Sequence, residues 1–465
     1  MKWFAPLHPP KLGLPLPAQR QLWLGRFLQA FAAVFVAYMA MYMVRNHFKA
    51  AQPLLKEQLG FTITDLGRIG FAFSVTYGIG KTLLGYAVDG LDSKRLVSAL
   101  LFLSSICVAV MGGLMTGGTH YLGPILLMWG VNGCVQSVGG PLSYATVTKW
   151  TPRRMRGRWL GFWNASHNVG GAIAGGFALW GATTFFSGNV VAMIVFPCAV
   201  TLMLAIVTWH LGKDSPEGYG VDRSEPIFGE PAEPSHAAAA ELSKWQIFRA
   251  YVLGNRNVWL LCCANVFVYV VRIGIDNWAP LYTREKLAFT PSQAVQTIFW
   301  FEGGALFGSI GFGWLSDWIG GRRSLLSAAC MTAILVAVQG YRHGTSPTLI
   351  YASLFVLGAL IFGPQLLVGV SLTGFTPKKA TAVTNGLSGT FGYLLGDSIA
   401  KVGLARIADS RQPGLSLFGQ TLHGWHDTFT VFYGAIVAGT ILFLIVAVAE
   451  ERLLRLPPQT AGADG

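Results

Sequence analysis

The sequence carries little charge. Only 12% of its 465 residues are Asp, Glu, Lys or Arg, against about 25% in soluble domains. The hydrophobic share is 52% and the mean hydropathy +0.49, which excludes an ordinary soluble domain and points to a polytopic membrane protein. Cysteine is scarce too. The six (Cys107, Cys134, Cys198, Cys262, Cys263, Cys330) all fall in apolar stretches, and none has metal-ligand spacing. They read as packing residues, which excludes a disulfide framework and a metal site. Residues 1–22 lack an apolar signal-peptide core and are broken by Pro6, Pro9, Pro10, Pro15 and Pro17, so the first span itself is expected to target the membrane. No phosphate-binding glycine loop and no nucleophile–base constellation stands out, so neither an enzyme nor a cofactor is expected. The 34 basic residues outnumber the 21 acidic ones, but they form no basic face with interleaved aromatics, so nucleic acid is not an expected partner.

What is present is apolar length. Runs such as Leu28–Val44, Val97–Leu114, Phe185–Trp209, Ile350–Val370 and Val431–Val448 approach the roughly 20 residues that a bilayer requires. Weaker candidates, carrying Gly, Ser and polar residues, lie at 67–88, 159–182, 292–315 and 381–405. The expectation is an all-α membrane protein of about twelve spans, with 57 glycines allowing close helix approach. Lys94–Arg95, Arg153, Arg154, Arg156, Arg158, Arg322–Arg323 and Lys378–Lys379 then share one side with both termini. The positive-inside rule makes that side cytoplasmic.

The chain repeats itself. GYAVDGLDSKR at 85–95 matches GWLSDWIGGRR at 313–323, 228 residues on. TPRR at 151–154 matches TPKK at 376–379, and Tyr42, Arg45 and Pro53 match Tyr269, Arg272 and Pro280, 227 residues on. We therefore expect two homologous six-span halves, 27–211 and 251–450. Around them lie a cytoplasmic segment 1–26, an acidic, Pro-rich connector 212–250 and a tail 451–465. Halves related this way place a transport site at their interface near the midplane.

Arg45 and Arg272 hold equivalent places in the first helix of each half. An intramembrane arginine costs about 2.5–3.5 kcal/mol to insert, and two would repel each other unless an anion lay between them. Guanidinium forks suit phosphate oxygens, so a phosphate site formed by one arginine from each half is expected. Other readings stand beside it. Asp276 lies one turn after Arg272, and Arg45 lies near the end of its apolar run, where it can snorkel. The repeat weighs against both, since Lys49 stands where a matching carboxylate would be. Lys81, deep in the second span, is a candidate third cation. His167, in GFWNASHNVGG, is as well explained by helix–helix hydrogen bonding as by a pH-tuned phosphate contact. Asp397 and Lys401 are spaced i,i+4 and read first as a self-neutralised pair. Asp89, Arg95, Asp317 and Arg323 of the repeated motif read as a conformational latch.

The phrases YGIGKTLLGYAVDG, TKWTPRR, GFWNASHNVGGA, VYVVRIGIDNW, GPQLLVGV and GDSIAKVGLARIAD resemble the organophosphate:phosphate antiporter family of the major facilitator superfamily, in its bacterial hexose-6-phosphate branch. The resemblance runs through both halves. It implies the major facilitator fold and exchange of external sugar phosphate for internal inorganic phosphate by alternating access. Arg45 and Arg272, flanked by Tyr42 and Tyr269, would hold the phosphoryl group, with Lys81 and His167 near it. Asp397 and Lys401 would tune selectivity. Pro141 and Leu142 depart from the small or polar residues expected there, which leaves the sugar open. A monomer in the bacterial inner membrane is expected. The competing functions are a sugar-phosphate sensor without transport, a glycerol-phosphate:phosphate exchanger, and a proton-coupled symporter, for which membrane carboxylates are few.

Overall fold

The computed structural model describes every residue except 1, 8, 89, 231–243, 377–379, 418 and 456–465. Its first six helical spans are α1 (Leu16–Leu59), α2 (Ile63–Ala87), α3 (Ser93–Met115), a broken fourth of α4 (Leu122–Gln136) and α5 (Gly139–Trp150), α6 (Arg153–Phe185) and α7 (Val190–His210). Two short helices, α8 (Ser224–Ile227) and α9 (Lys244–Phe248), precede the second set. That set is α10 (Arg256–Leu287), α11 (Pro291–Trp318), α12 (Arg323–His343), α13 (Pro347–Phe375), a composite span and α16 (Trp425–Leu454). The composite runs through α14 (Thr381–Phe391), the π-helical turns Gly392–Asp397 and Ile399–Gly403, and α15 (Leu404–Ala408). With each broken span counted once, there are twelve among the described residues. Among the described residues, seven helices are long and apolar enough to cross a membrane by length and composition alone; α2, α6, α11 and the composite span are the four that the sequence marks as polar or glycine-rich. A short hairpin, β1 (Leu415–Leu417) with β2 (Gln420–Leu422), precedes α16.

Local chemistry explains where these helices begin and bend. Thr62 and Asp65 form a reciprocal capping box at the start of α2, and the Asp92 side chain accepts from Arg95 N at the start of α3; both satisfy backbone donors that have no intrahelical partner. Helix α1 ends on Gly60, which takes the left-handed conformation at φ 73°. It also departs from helical geometry at Val44 (φ −84°, ψ 20°), one residue before Arg45. Pro53 inside α1 and Pro280 inside α10 remove equivalent backbone donors in the two repeats.

Two compact units form. The first is Met1–Ala240 with Asn277–Gly303, the second Glu241–Asp276 with Gly304–Gly465. In the first, α6 packs closely on α1 because Gly170 lies against the Met39 carbonyl, where a Cβ would collide. Buried hydroxyls and amides join its helices: Ser104 Oγ donates to Asn132 at 2.6 Å, Gln136 donates to Ser104 at 2.9 Å, and Ser105 and Thr201 hydroxyls meet at 2.7 Å. Such bonds stabilise helix pairs in lipid, where no hydrophobic drive acts between helices. In the second unit, Asn265 on α10 donates to Ser388 O on α14 at 2.9 Å.

The connector expected at 212–250 packs against the helices over its first described part. Its first part, through Glu230, docks on the first unit. Val221 and Ile227 are buried with Trp23, Phe27 and Trp150. The Trp23 indole donates to Trp150 O at 2.9 Å, Arg20 to Ile227 O at 2.8 Å, and Arg156 to Glu225 at 2.9 Å. Glu230 accepts from the backbone N of Arg153 at 2.8 Å, at the start of α6. Glu225 and Glu230 are thus placed against the basic start of α6.

Candidate functional site

In the first unit, Tyr42 and Arg45 lie one turn apart on α1, on either side of the Val44 distortion. The Arg45 guanidinium lies over three rings: Phe73 and Tyr77 of α2, each at 4.7 Å, and Tyr42 at 5.2 Å. Such stacking engages the faces of the guanidinium, whereas anion recognition uses its edge. Lys81 is half-buried on α2, one turn beyond Tyr77. His167 on α6 packs its ring 5.2 Å from Tyr42. One turn earlier, Trp163 stacks on Tyr38 at 5.0 Å, and Tyr38 meets Tyr42 edge-on at 5.4 Å. Arg45, Tyr42 and His167, chosen from sequence, are therefore brought together by α1 and α6. Lys81 shares the α2 face of an Arg45-contacting ring.

Sequence reasoning left Glu302 and Asn46 out of the site. Glu302 is 2% exposed and accepts from Asn46 Nδ2 at 3.0 Å. A Cβ on Gly171 would lie 2.6 Å from the Asn46 amide and 2.7 Å from the Glu302 carboxylate, so this glycine makes room for the pair one turn beyond His167. The signals were there: a membrane carboxylate is rare and tends to be functional, and Asn46 adjoins Arg45. Phe73, Tyr77 and Tyr38 were equally missed, because a lone aromatic in an apolar span usually reads as core.

In the second unit, Arg272 is 7% exposed. Its guanidinium lies 4.5 Å from the Phe362 ring and 5.9 Å from Tyr269. Tyr269 meets Tyr393 edge-on at 5.1 Å. Gly396 lies against the Val266 carbonyl, where a Cβ would fall 2.5 Å from the oxygen, and so lets the composite span approach α10. Asp397 and Lys401 form the self-neutralising pair anticipated from spacing: Lys401 Nζ lies 3.0 Å from Asp397 Oδ1, with side chains 10% and 1% exposed. The pair falls on π-helical turns, which are rare and concentrate at functional sites.

The repeated loop motif, expected as a latch, is described in part. Asp89 lies outside the described residues, and the Asp317 side chain is exposed. Other carboxylates meet the third-span N-termini. Asp214 accepts from Lys94 N at 3.2 Å and pairs with Lys149 at 2.5 Å, while Glu450 accepts from Ser324 N at 2.7 Å. Arg95 lies 3.7 Å from Asp92, and Arg323 is half-buried. Lys94 is 2% exposed and donates to Thr208 O, Trp209 O and Gly212 O at 2.6–3.1 Å, where a cation complements the C-terminus of α7. Burial raises the Asp92 carboxyl above its usual range, with Asp214 adding to the rise and the Arg95 amide opposing it.

Comparison with known proteins fixes the family. The family model of the Major Facilitator Superfamily matches residues 22–400. The chain belongs to the Major Facilitator Superfamily. Within the superfamily it is 45% identical to the hexose-6-phosphate:phosphate antiporter of Escherichia coli (strain K12), over 96% of each chain. It is 33% identical to a phosphoglycerate transporter protein of Salmonella typhimurium, over 92% of this chain and 90% of that one. A solved bacterial homologue of the lysosomal transporter Spinster, inward-facing and unoccupied, superposes with a TM-score of 0.69 at 15% identity, covering 93% and 99%. That likeness supports the fold. As a superfamily member with its relatives' transporter architecture, the chain is an integral membrane protein.

Proposed function

We propose that the chain exchanges external hexose 6-phosphate for internal inorganic phosphate across a bacterial inner membrane. In this reading it is a monomeric carrier with both termini in the cytoplasm, and it catalyses no covalent step. Arg45 and Arg272 hold the phosphoryl group, one from each repeat. Tyr42 and Tyr269 orient the two guanidiniums, and Lys81 and His167 add charge on the Arg45 side. Asp397 and Lys401 stay paired in the resting carrier and tune which organic group is tolerated. The observation that carries the reading is the symmetry of the two arginines. Each stands at the same repeat position with its guanidinium over aromatic rings, and relatives at 45% identity are hexose-6-phosphate:phosphate antiporters.

Physically, two intramembrane guanidiniums favour whichever arrangement places a phosphate dianion within reach of both. Bound phosphate of either kind lowers the energy of passing between access states. The empty carrier lacks that stabilisation and crosses slowly, so transport is exchange.

The test is uptake of labelled glucose 6-phosphate into liposomes preloaded with inorganic phosphate. Uptake that requires internal phosphate and is lost in both Arg45→Lys and Arg272→Lys, with folding intact, is the expected result. Binding without uptake in the wild type would make the protein a sensor. A preference for glycerol phosphate in competition would move the substrate to the shorter organophosphate.

A further inference from the structure

At the end of the bundle that carries the C-terminus, α12 and α16 leave a groove of about 490 Å³. Its floor is apolar and open to the outside: Leu325 and Leu444 are each 46% exposed and Val448 57%. Its rim holds Arg322, Arg452 and Arg455. Leu444, Val448 and Arg452 are successive i,i+4 positions of α16, so an apolar stripe runs up one helix face and ends in a guanidinium.

The rim is cationic after its internal pairs are counted. Glu451 is shared, with Arg322 Nε at 2.9 Å and Arg455 Nε at 3.3 Å. The Glu451 carboxylate gives one negative charge against these two arginines. Glu450 faces inward, accepting from Ser324 N at 2.7 Å and Ser371 Oγ at 3.2 Å. Arg452 is exposed and has no carboxylate within ion-pair distance among the described residues. A hydrocarbon-lined slot leading to an unmatched guanidinium at a span's end has the shape and charge sequence of one anionic phospholipid. A purely apolar filler would leave the rim without its counter-charge, and a free anion would leave the floor unused.

We infer that the α12–α16 groove binds one anionic phospholipid of the adjacent leaflet, its phosphate against Arg452 and an acyl chain along Val448 and Leu444. The inference rests on the groove alone and stands apart from the exchange reading. Arg455 and Arg322 set the electrostatic field, and Glu451 keeps them from closing over the slot.

The test is lipid retention by the full chain, read by native mass spectrometry from detergent micelles. Phosphatidylglycerol is titrated against phosphatidylcholine of the same acyl chains. The expected result is one phosphatidylglycerol retained in preference to phosphatidylcholine, by roughly fivefold for a single surface arginine. Arg452→Gln should abolish the preference while leaving weak binding of both lipids. Val448→Trp, which fills the groove from its open side, should abolish both, whereas Arg68→Gln on α2 should change neither. Equal retention of the two lipids by the wild type would overturn the proposal. So would an unaltered preference in Arg452→Gln, or displacement of the lipid by millimolar inorganic phosphate with the acyl chain lost as well.

Discussion

At the scale of single residues, the membrane makes charge costly and therefore informative. Replacing Arg45 or Arg272 by Lys keeps the charge and removes the planar, bidentate fork. We expect at least tenfold slower exchange for either, the loss of about 1.4 kcal/mol of phosphate binding, with unchanged elution and helicity. Gly170 tests packing instead. Its missing Cβ is occupied by the Met39 carbonyl, so Gly170→Ala must push α6 from α1. Overpacking of this kind costs about 1–3 kcal/mol, to be seen as a lower midpoint in thermal unfolding in detergent. Of the residues singled out from sequence, Arg45, Tyr42 and His167 are neighbours, and Arg272 adjoins Tyr269. The other rings around the arginines, Phe73, Tyr77 and Phe362, were not legible, because which ring faces a given guanidinium depends on how α2 and α13 rotate against their neighbours. No periodicity within one helix records that rotation.

At the scale of elements, α1 and α10 are fastened near their C-terminal ends. Arg284 Nε donates to Glu57 Oε1 at 2.7 Å and its Nη2 to Oε2 at 3.2 Å; Lys56 pairs with Glu285, and Gln52 donates to Asn277 at 3.5 Å. Glu57 and Arg284 occupy equivalent repeat positions, 227 apart. Exposed pairs of this sort contribute about 0.2–1 kcal/mol each, enough to bias two access states of similar energy. Glu57→Arg or Arg284→Glu alone should change the accessibility of engineered cysteines along α1 by about two- to fivefold. The double exchange should restore the wild-type pattern. The docked connector gives a second test. Trp23→Ala removes an indole that is 4% exposed and bonded to Trp150 O, and losses of this type run to about 3–5 kcal/mol. Limited proteolysis should then cut within 212–230, which the wild type resists. Asp222 adds a pH term. Its hydrogen bond from Lys11 holds the carboxyl below its usual value of 3.8. Its contribution to docking is therefore complete above that value and lost only as pH falls through the lower, docked pKa. Protection of the connector should be flat from pH 7 to 5.

At the scale of the whole molecule, the helical spans and the repeated motifs follow from composition and spacing. A bilayer forces every backbone group into helices, so apolar length converts directly into fold. The sequence also singled out the paired arginines, since symmetry and charge can both be read along a chain. Three features needed the tertiary structure. The connector's docking depends on a surface assembled from α1 and, more than a hundred positions on, α5 and α6. The carboxylates that meet the third-span N-termini, Asp214 and Glu450, come from beyond or near the end of the sixth span of each half, where no local motif connects them to their partners. The Glu302–Asn46 bond, with Gly171 making room, joins three segments. The physical reason is common to all three: in lipid, hydrophobicity fixes that a helix spans but is nearly indifferent to its rotation and neighbours. Those are set by small residues and buried hydrogen bonds between segments distant in sequence.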